Sequence, residues 1–381
     1  MPRPTIVEID LSAIRDNLRA IRALVGPAVE IIGMVKADAY GHGAAAVGRT
    51  LAAEDVKRFG VALVEEGAAL RAAGIPGEVL VLGALLPEDA PEIVENGFEA
   101  ALSDLDFARR LDEVSRRRGG PPVGVHVKLD TGMGRFGFPL ERALDVICEL
   151  AGLRGLRLVG AMTHFPSADE AGGRSDGAKF TRGQIGAFLK IREAVAAAGI
   201  RVPLWHAANS AGILLHPESR LDAVRPGLAL YGGFPAAQVP PPTKLRQAMT
   251  LKTRIVLVRD FPAGATLGYG RTFRTARASR IAALPIGYAD GFSRAHSNKG
   301  QALVRGRRAP IVGRVSMDTV LVDVTDVAGA QAGDETVLYG RQGEAEISIV
   351  EAAETLGTIP YELMTALTAR VPRKIRSGND E

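Results

Sequence analysis

The feature that most constrains the fold is a series of eight short apolar segments in the first 235 residues, separated by helical patterns. The segments are apolar throughout, without alternating polar positions, which is typical of parallel strands covered on both faces. Between them, apolar residues recur at spacings of three and four, as over residues 140–150 and 184–198, which predicts amphipathic helices. The predicted strands comprise residues 31–36, 59–64, 79–83, 98–102, 124–130, 156–163, 202–206 and 223–230.

Eight strands that alternate with helices predict an α/β fold, an N-terminal (β/α)8 TIM barrel. A doubly wound open sheet is the alternative, and strand counting alone does not exclude it. A further helix is predicted over residues 12–24, before the first strand, with Asp10 or Ser12 positioned to cap its first turn.

The pattern changes near Pro235, where a second domain is predicted to follow. Residues 238–242 read Gln-Val-Pro-Pro-Pro and predict a stiff link. Beyond it, segments alternate between apolar and polar residues, as strands with one exposed face do. They comprise residues 251–259, 279–286, 301–305, 309–315, 319–324 and 335–338, with one helix near 348–356. We therefore predict a barrel domain over residues 1–240 and a mostly β C-terminal domain over residues 241–381, and we leave open whether the extreme N-terminal strand joins the second domain.

Charge, cysteine content and hydropathy exclude several classes of protein. The 47 Lys and Arg residues barely outnumber the 43 Asp and Glu residues, and the densest basic run, residues 116–118, ends a predicted helix, so we expect no nucleic-acid site. Cys148 is the only cysteine, which excludes an intrachain disulfide and fits a reducing compartment such as the cytoplasm. Residues 1–10 contain no apolar signal-peptide core, and no run of about 18 apolar residues occurs, so we expect neither secretion nor membrane insertion.

Chemically active side chains lie near the carboxyl ends of the predicted strands, where barrel enzymes bind their substrates. They are Lys36 after the first strand, His126, Lys128 and Asp130 on the fifth, His164 after the sixth, His206 at the end of the seventh and Arg225 in the eighth. Asn209, Ser210 and Gly227 occupy positions where barrels commonly bind phosphate. Because the histidines are accompanied by no cysteine cluster and no His-x-x-x-His pair, we expect no catalytic metal. His42, between two glycines, is interpreted as a loop residue.

Lys36 admits two interpretations. An ammonium group is costly to bury, so a lysine at the mouth of an apolar strand either pairs with a carboxylate, such as Asp38, or serves as an unprotonated amine that forms a Schiff base. A phosphate site in the same mouth favours the second interpretation, because a phosphorylated aldehyde satisfies both features. Pyridoxal phosphate is therefore the predicted cofactor.

Nine residues around this lysine, 35–43, resemble the cofactor-lysine motif of bacterial alanine racemases. Further matching blocks occur in family order over nearly the whole chain, at residues 128–135, 225–227, 268–270, 287–291, 317–318 and 370–373. Leu228, Ser316 and Pro360 stand where relatives often have Ile, Cys and Asn, and they leave the detail of the pocket open. The resemblance implies a pyridoxal-phosphate-dependent isomerase that interconverts L- and D-alanine and supplies D-alanine for peptidoglycan.

The resemblance also implies a role for each catalytic residue. Lys36 would bind the cofactor and act as one acid–base group, and Tyr269 would act as the second from the opposite face of the substrate. A phenol is a poor base at neutral pH unless positive charge or hydrogen bonds favour the phenolate, and His164 would supply that contact. His164 would itself be linked to Arg225, whose guanidinium would face the pyridine nitrogen of the cofactor and weaken its action as an electron sink.

The remaining implied site residues bind the substrate or the cofactor. Arg135 would bind the substrate carboxylate, and Lys128, which matches a lysine that is carbamylated in some relatives, would orient Arg135. The implied cofactor contacts are Tyr40, His206, Asn209, Ser210, Gly227, Leu228 and Tyr361. Met317 would bind the substrate from the second domain, where Tyr288 and Asp318 would form a gate.

Family members are head-to-tail homodimers in which the β domain of one chain covers the barrel mouth of the other. The resemblance therefore implies that Tyr269 and Met317 serve the site of the partner chain. A monomer would lack its second acid–base group, so we expect a homodimer with shared active sites.

Three alternatives to this interpretation are weaker. A racemase of broader specificity, acting on serine, lysine or arginine, is disfavoured. Such relatives often carry a secretion signal and paired cysteines, whereas residues 1–10 of this sequence contain no signal-peptide core and Cys148 is its only cysteine. A non-catalytic pyridoxal-phosphate-binding protein is disfavoured because such barrels lack the second domain and the segments around Tyr269 and Met317. A decarboxylase of similar two-domain build is disfavoured by Arg225, where that group has a carboxylate.

Overall fold

The computed structural model describes residues 3–170, 175–234 and 242–376. Up to residue 234, its strands are β1 (Ile6–Asp10), β2 (Glu30–Met34), β3 (Arg58–Val61), β4 (Glu78–Val81), β5 (Glu99–Leu102), β6 (Val123–Asp130), β7 (Phe138–Pro139), β8 (Leu156–Met162), β9 (Leu204–His206) and β10 (Ala223–Val224). The helices of this part are α1 (Leu11–Val25), α2 (Lys36–Gly41), α3 (Ala44–Ala53), α4 (Val64–Ala72), α5 (Ala90–Asn96), α6 (Leu105–Arg118), α7 (Ala143–Gly152), α8 (Asp176–Ala197) and α9 (Ser210–Leu215). Over the described ranges, no helix is both long and apolar enough to cross a membrane.

Eight of these strands form a closed parallel barrel within the described residues. The order around the barrel is β5, β4, β3, β2, β10, β9, β8 and β6, and β6 pairs with β5 to close it. The fold class predicted from the eight apolar segments is therefore confirmed, and the open-sheet alternative is wrong.

The last two barrel strands are shorter than predicted. The eighth predicted segment, 223–230, is a strand only at Ala223–Val224. Pro226 has no N–H to donate to a ladder, and the apolar residues that follow form a buried 3-10 turn, Leu228–Tyr231. The apolar run here indicates a buried turn, which strand-like composition alone does not distinguish from a strand.

Helix α1 shows how sequence sets an element boundary. The Asp10 carboxylate accepts hydrogen bonds from the backbone N–H groups of Ser12, at 2.8 Å, and Ala13, at 3.1 Å, so Asp10 and not Ser12 is the N-cap. Ile14, Leu18 and Ile21 are fully buried, and their spacing of four and three residues places them on one face of the helix.

The rest of the chain is mostly β structure. Its strands are β11 (Met249–Arg254), β12 (Leu257–Phe261), β13 (Thr266–Leu267), β14 (Phe273–Arg274), β15 (Ser279–Leu284), β16 (Gln301–Val304), β17 (Arg307–Pro310), β18 (Val320–Asp323), β19 (Glu335–Gln342), β20 (Ala345–Ile347) and β21 (Arg373–Arg376). Helix α10 (Ile349–Leu356) agrees with the predicted helix, whereas α11 (Pro360–Thr365) was not predicted. The predicted strand 251–259 divides into β11 and β12, which belong to different sheets.

The N-terminal strand belongs to the sheet built by the C-terminal part of the chain. The strand order in that sheet is β17, β16, β19, β11, β1 and β21, with β20 paired to β19. Val7 lies opposite Leu251 on one side and opposite Arg373 on the other. The predicted proline-rich link lies outside the described residues except for Pro242, and the boundary between residues 240 and 241 falls in the same gap and stays a prediction.

The C-terminal part also reaches the mouth of the barrel. Helix α11 packs against α2, which directly follows the first barrel strand, and the rings of Tyr361 and Tyr40 lie 5.9 Å apart between their centroids. The carboxyl ends of the barrel strands are thus covered on one side by α11, which helps to form a cavity there.

Candidate active site

A cavity of about 670 Å³ lies at the carboxyl ends of the barrel strands. Most of the predicted site residues line it: Lys36, Tyr40, Lys128, Arg135, His164, Asn209, Ser210, Arg225, Gly227, Leu228 and Tyr361. Further lining residues that the sequence did not indicate include Met34, Phe136, Met162, Ile359 and Thr365. Residues more than 300 positions apart in the chain therefore meet in one cavity.

The backbone directly after Lys36 is left-handed. Residues 37–40 have φ values between 51° and 54°, a conformation that costs about 1–2 kcal/mol for each L-residue that is not glycine. Four such residues in succession persist only when their surroundings hold them. The left-handed turn changes the direction of the chain immediately after Lys36, so that the cofactor-lysine motif returns to the mouth of the barrel.

His42 holds this turn, although the sequence indicated only a loop residue. Its ring is fully buried, and Nδ1 lies 2.9 Å from the carbonyl oxygen of Tyr40 and 3.1 Å from that of Ala39. Because both partners are acceptors, Nδ1 carries the proton and donates it to the turn. Burial lowers the pKa of His42 to about 4, so the ring is neutral.

Carboxylates hold the two ends of the same turn. The Glu66 carboxylate accepts a hydrogen bond from the N–H of Ala37 at 2.6 Å. The Asp38 carboxylate accepts from the N–H of Ala44 at 2.7 Å, at the start of α3. Asp38 therefore fixes the backbone of the motif, which differs from the ion-pair role considered for it in the sequence.

Lys36 lies in an electropositive cavity. Burial lowers the pKa of its amine most, and the guanidinium groups of Arg135 and Arg225 lower it further, against the opposing effect of the Glu66 carboxylate. Burial and the same two guanidinium groups lower the pKa of Lys128 to about 8. An amine with a lowered pKa is unprotonated at neutral pH more often than a normal lysine and is a better nucleophile and base.

Arg225 is the most firmly held group of the site. Its guanidinium is buried and donates to the carbonyl oxygens of Thr163, His206 and Ala207 at 2.6, 2.9 and 3.0 Å, and to the Nδ1 atoms of His206 at 2.8 Å and His164 at 3.3 Å. Burial lowers the pKa of Arg225 to about 10, so the group stays charged at neutral pH. Burial and that charge keep the pKa of His164 well below its usual value, and His164 is therefore neutral.

His206 was predicted as a cofactor contact, and it lies behind Arg225. Its ring is fully buried and is not part of the cavity wall. The structure therefore places His206 where it contacts Arg225, and it contacts the cavity only through that residue.

Ser210 and Gly227 form a pocket suited to phosphate. The Ser210 hydroxyl oxygen accepts hydrogen bonds from the N–H groups of Gly227, at 3.0 Å, and Ala229, at 3.1 Å. A hydroxyl has two acceptor positions and one proton, so the proton of Ser210 is left to donate to a ligand. A Cβ at position 227 would overlap the hydroxyl of Tyr40, so glycine leaves the space that this phenol occupies.

The two phenols of the pocket are hydrogen-bond donors. Burial raises the pKa of Tyr40 above its usual value and raises that of Tyr361 to about 12. Both groups are therefore protonated at neutral pH and can donate to an anion. Together with Ser210, they provide three hydroxyl donors in the wall of one cavity, which fits a phosphate group.

A rigid loop carries Arg135 into the cavity. The Asp130 carboxylate accepts hydrogen bonds from the N–H groups of Gly132, Met133 and Gly134 at 2.8–2.9 Å, which fixes the loop that follows β6. The ring centroid of Phe136 lies 5.1 Å from the Lys128 amine and 5.9 Å from the Arg135 guanidinium carbon, within the range of a cation–π contact.

The predicted residues of the second domain form a separate group. Tyr269, Tyr288 and Met317 are 70%, 43% and 53% exposed, and none of them lines the cavity of its own chain. The backbone N–H of Tyr288 donates to the carbonyl oxygen of Ser316 at 3.1 Å, so the loop of Tyr288 is joined to the loop of Met317 and Asp318. Asp318 accepts from the Arg370 guanidinium at 2.7 Å.

Comparison with known proteins gives one family. Residues 9–235 match the model of the alanine racemase N-terminal domain, and residues 248–375 match that of the alanine racemase C-terminal domain. The chain is 43% identical over 371 residues to the alanine racemase of Symbiobacterium thermophilum, with 97% of each chain covered.

Solved structures give the same similarity. The alanine racemase of Clostridium difficile 630 superposes with a TM-score of 0.93 at 35% identity, covering 100% of this chain and 97% of that one. The alanine racemase of Bartonella henselae, solved with covalently bound pyridoxal phosphate, superposes with a TM-score of 0.87 at 28% identity, covering 98% and 100% of the two chains.

Proposed function

Because the chain belongs to the alanine racemase family, we propose that it interconverts L-alanine and D-alanine with pyridoxal 5'-phosphate and that Lys36 and Tyr269 are its two acid–base groups. One observation carries the proposal. Lys36, with its lowered pKa, shares a cavity with the charged guanidinium of Arg225 and with the hydroxyl donors around Ser210.

The residues of the cavity fit this cofactor. The Ser210, Tyr40 and Tyr361 hydroxyls would bind the phosphate, and Asn209 and Leu228 would lie beside it. Arg225 would face the pyridine nitrogen. When bound, pyridoxal phosphate supplies an aldehyde that condenses with amines and a conjugated ring that makes the proton on the substrate Cα more acidic.

Arg225 limits how far that activation goes. Its guanidinium, whose pKa is about 10, stays charged at neutral pH and would leave the ring nitrogen of the cofactor without a proton. Held there, Arg225 would weaken the electron-withdrawing action of the ring and would favour a simple exchange of the Cα proton over other reactions at Cα.

Racemisation needs one acid–base group on each face of the substrate. Lys36 removes or returns the proton on one face, and Tyr269 does so on the other. His164 Nδ1 accepts from Arg225, so its single proton lies on Nε2, where it can be donated to the Tyr269 oxygen and stabilise the phenolate. Arg135 binds the substrate carboxylate by charge-assisted hydrogen bonds, and Lys128 orients Arg135.

The exposure of Tyr269, Tyr288 and Met317 supports a homodimer. Large exposed side chains such as these three are typical of an interaction surface. The loops that carry Tyr288 and Met317 are joined by a backbone hydrogen bond. We propose that each chain places these residues, with Asp318, over the barrel mouth of the other chain. The D-alanine product would supply peptidoglycan synthesis in the cytoplasm, a compartment that the single cysteine fits.

The test is to incubate the purified protein and pyridoxal phosphate with a panel of amino acids and to measure the loss of optical rotation. We expect L- and D-alanine to be interconverted, and Lys36→Ala to abolish both the activity and the absorption band of the lysine–cofactor adduct. Turnover of serine, lysine or arginine without turnover of alanine would refute the substrate assignment. Binding of the cofactor without turnover of any amino acid would favour the non-catalytic alternative.

A further inference from the structure

A row of polar side chains, partly exposed at Glu30 and Arg58 and buried beyond them, runs through the interior of the barrel from its amino-terminal end to Arg225. Its members come from six different barrel strands or the residues next to them: Glu30, Arg58, Glu99, His126, His206 and Arg225. The first three lie at the starts of β2, β3 and β5, whereas His206 and Arg225 lie at the ends of β9 and β10. The active-site guanidinium is thus connected to the opposite end of the barrel, which the proposed mechanism does not use.

Each contact in the row has hydrogen-bond geometry. Arg58 Nε donates to Glu99 Oε2 at 2.7 Å, and Arg58 also pairs with Glu30. His126 Nε2 lies 3.1 Å from the same Glu99 oxygen. His126 Nδ1 lies 2.8 Å from His206 Nε2, and the other nitrogen of His206 receives Arg225 at 2.8 Å.

Space for the row is made by glycines of neighbouring strands. A Cβ at Gly160 in β8 would overlap Nδ1 of His126. A Cβ at Gly124 in β6 would lie 3.0 Å from the side chain of Glu99. His126 and His206 are fully buried, so the barrel core accommodates these rings at positions where apolar side chains would otherwise pack.

Arg225 and Glu99 fix the positions of the protons on the two histidine rings between them. Arg225 can only donate, so His206 Nδ1 accepts and the proton of His206 lies on Nε2. That proton is donated to His126 Nδ1, so the proton of His126 lies on Nε2 and is donated to Glu99, which as a carboxylate can only accept. Burial lowers the pKa of both histidines, so each ring is neutral and carries one proton.

We propose that Glu99 and His126 are positioning residues that lock His206 in its Nε2-protonated form and thereby hold the Arg225 guanidinium in place against the cofactor ring. If the proton of His126 lay on Nδ1 instead of Nε2, His126 would donate to Nε2 of His206, and the proton of His206 would lie on Nδ1. Two donors then face each other at the contact with Arg225, and the guanidinium must shift. The proposal rests on the proposed function only for the consequence at the cofactor, since the proton positions belong to the protein alone.

The first test measures those proton positions directly. The chain has six histidines, so ¹⁵N-histidine labelling with single-residue variants assigns each ring by NMR. We expect His126 and His206 both to carry the proton on Nε2, in the cofactor-free and the cofactor-loaded protein. A proton on Nδ1 of either ring overturns the proposal, whether or not the protein racemises alanine.

The second test compares two buried histidines. His126→Phe removes the acceptor of His206, whereas His296→Phe removes another buried ring in the β part, where His296 bonds Tyr339 at 2.7 Å and stacks on Phe292. We expect His126→Phe to lower kcat about tenfold, which corresponds to the loss of one hydrogen bond between neutral groups, with KM for alanine unchanged. Both variants should lower the Tm by a similar amount, but His296→Phe should leave kcat unchanged.

The outcomes separate the two proposals. Equal kcat in the two variants would mean that the row serves only stability, and it would overturn the positioning role. A native protein that racemises no amino acid would refute the proposed function and leave the proton positions to decide this inference.

Discussion

Gly227→Ala tests the phosphate pocket most directly, because one methyl group would displace one hydrogen-bond donor. The new Cβ would overlap the Tyr40 hydroxyl oxygen and lie 2.9 Å from the ring carbon that carries it. Normal contact is about 3.5–4.0 Å, so the ring must retreat by about 1 Å. Loss of one hydrogen bond to a charged group costs about 1.5–3 kcal/mol, which corresponds to a Kd for pyridoxal phosphate about 10- to 150-fold higher.

The assay is a titration of the cofactor-free protein with pyridoxal phosphate, in which the absorbance of the bound cofactor gives the Kd. Gly186→Ala in α8 is the matched control, since a Cβ there meets nothing within 4 Å and the site is exposed. The control should gain about 0.5–1 kcal/mol of stability and keep the Kd of the native protein.

Tyr40→Phe completes a double-mutant cycle. The single change removes the same donor, so it should raise the Kd by a similar factor. In the Tyr40→Phe background, Gly227→Ala has no hydroxyl left to displace, and its own effect should be much smaller. If the two changes multiply as independent effects, or if Gly227→Ala leaves the Kd within threefold of the native value, the reasoning about this pocket is refuted.

Three further predictions concern the dimer, the buried row and the left-handed turn. Lys36→Ala and Tyr269→Ala chains, each inactive alone, should recover about a quarter of native activity after subunit exchange. Half of the dimers are then mixed, and each mixed dimer has one intact site out of two. No recovery after confirmed exchange would exclude shared sites. Burial opposes ionisation of Glu99, but the hydrogen bond from His126 and the ion pair with Arg58 lower the pKa of its carboxyl group to about 2 from 4.5. The contribution of Glu99 to stability is therefore complete above pH 4.5 and is lost as the pH falls toward 2. The Tm difference between the native protein and Glu99→Gln should shrink over that range, and a constant difference would contradict the assignment. His42→Phe keeps the contact with Tyr231 but removes the donor to two carbonyl oxygens, so urea unfolding should show a loss of about 1–2 kcal/mol; an unchanged free energy of unfolding would show that His42 does not hold the turn.

The barrel was predictable because burial on both faces leaves a simple signal in each strand. Parallel strands between a core and a layer of helices need apolar residues at every position, and eight such runs appear in order. The same signal failed at residues 225–230, since a buried 3-10 turn needs apolar residues as well. It also could not decide which sheet β1 joins, because the partners of Val7, Leu251 and Arg373, lie more than 240 residues away and leave no local pattern.

The residues of the cavity were predictable where function demands a particular side chain at a strand end. Lys36 and Ser210 lie within four residues of the ends of barrel strands, so their position in the sequence indicates their position at the mouth, whereas Arg135 was expected in the site only from the family resemblance. His42 is a loop residue, as predicted, but its role in holding the left-handed turn was not predictable, because that turn depends on contacts that no short motif records. Gly41, for example, must be glycine because a Cβ there would overlap the backbone oxygen of Met364.

The row behind Arg225 was missed for a related reason. His126 was placed at the mouth together with Lys128. The two residues are two apart in β6 and share one side of the strand, but His126 lies about 7 Å further from the carboxyl end of that strand and does not line the cavity. Its ring points to Glu99 and His206, and those contacts follow from the closed barrel, in which β6 pairs with both β5 and β8. A polar residue at the start of a strand, such as Glu99, carries no signal of such a partner in the sequence.

The electrostatics of the cavity explain why so many cations lie together. Lys36, Lys128, Arg135 and Arg225 line one cavity, and the two guanidinium groups lower the pKa of both lysines. Four cations at close range repel one another, which destabilises the ligand-free protein. A phosphate and a substrate carboxylate would relieve that repulsion if they bind as proposed, and part of the binding free energy would then come from the arrangement of the cavity. Burial and the two guanidinium groups also lower the pKa of the Lys36 amine, so the group proposed to act as the nucleophile is unprotonated at neutral pH more often than an ordinary lysine.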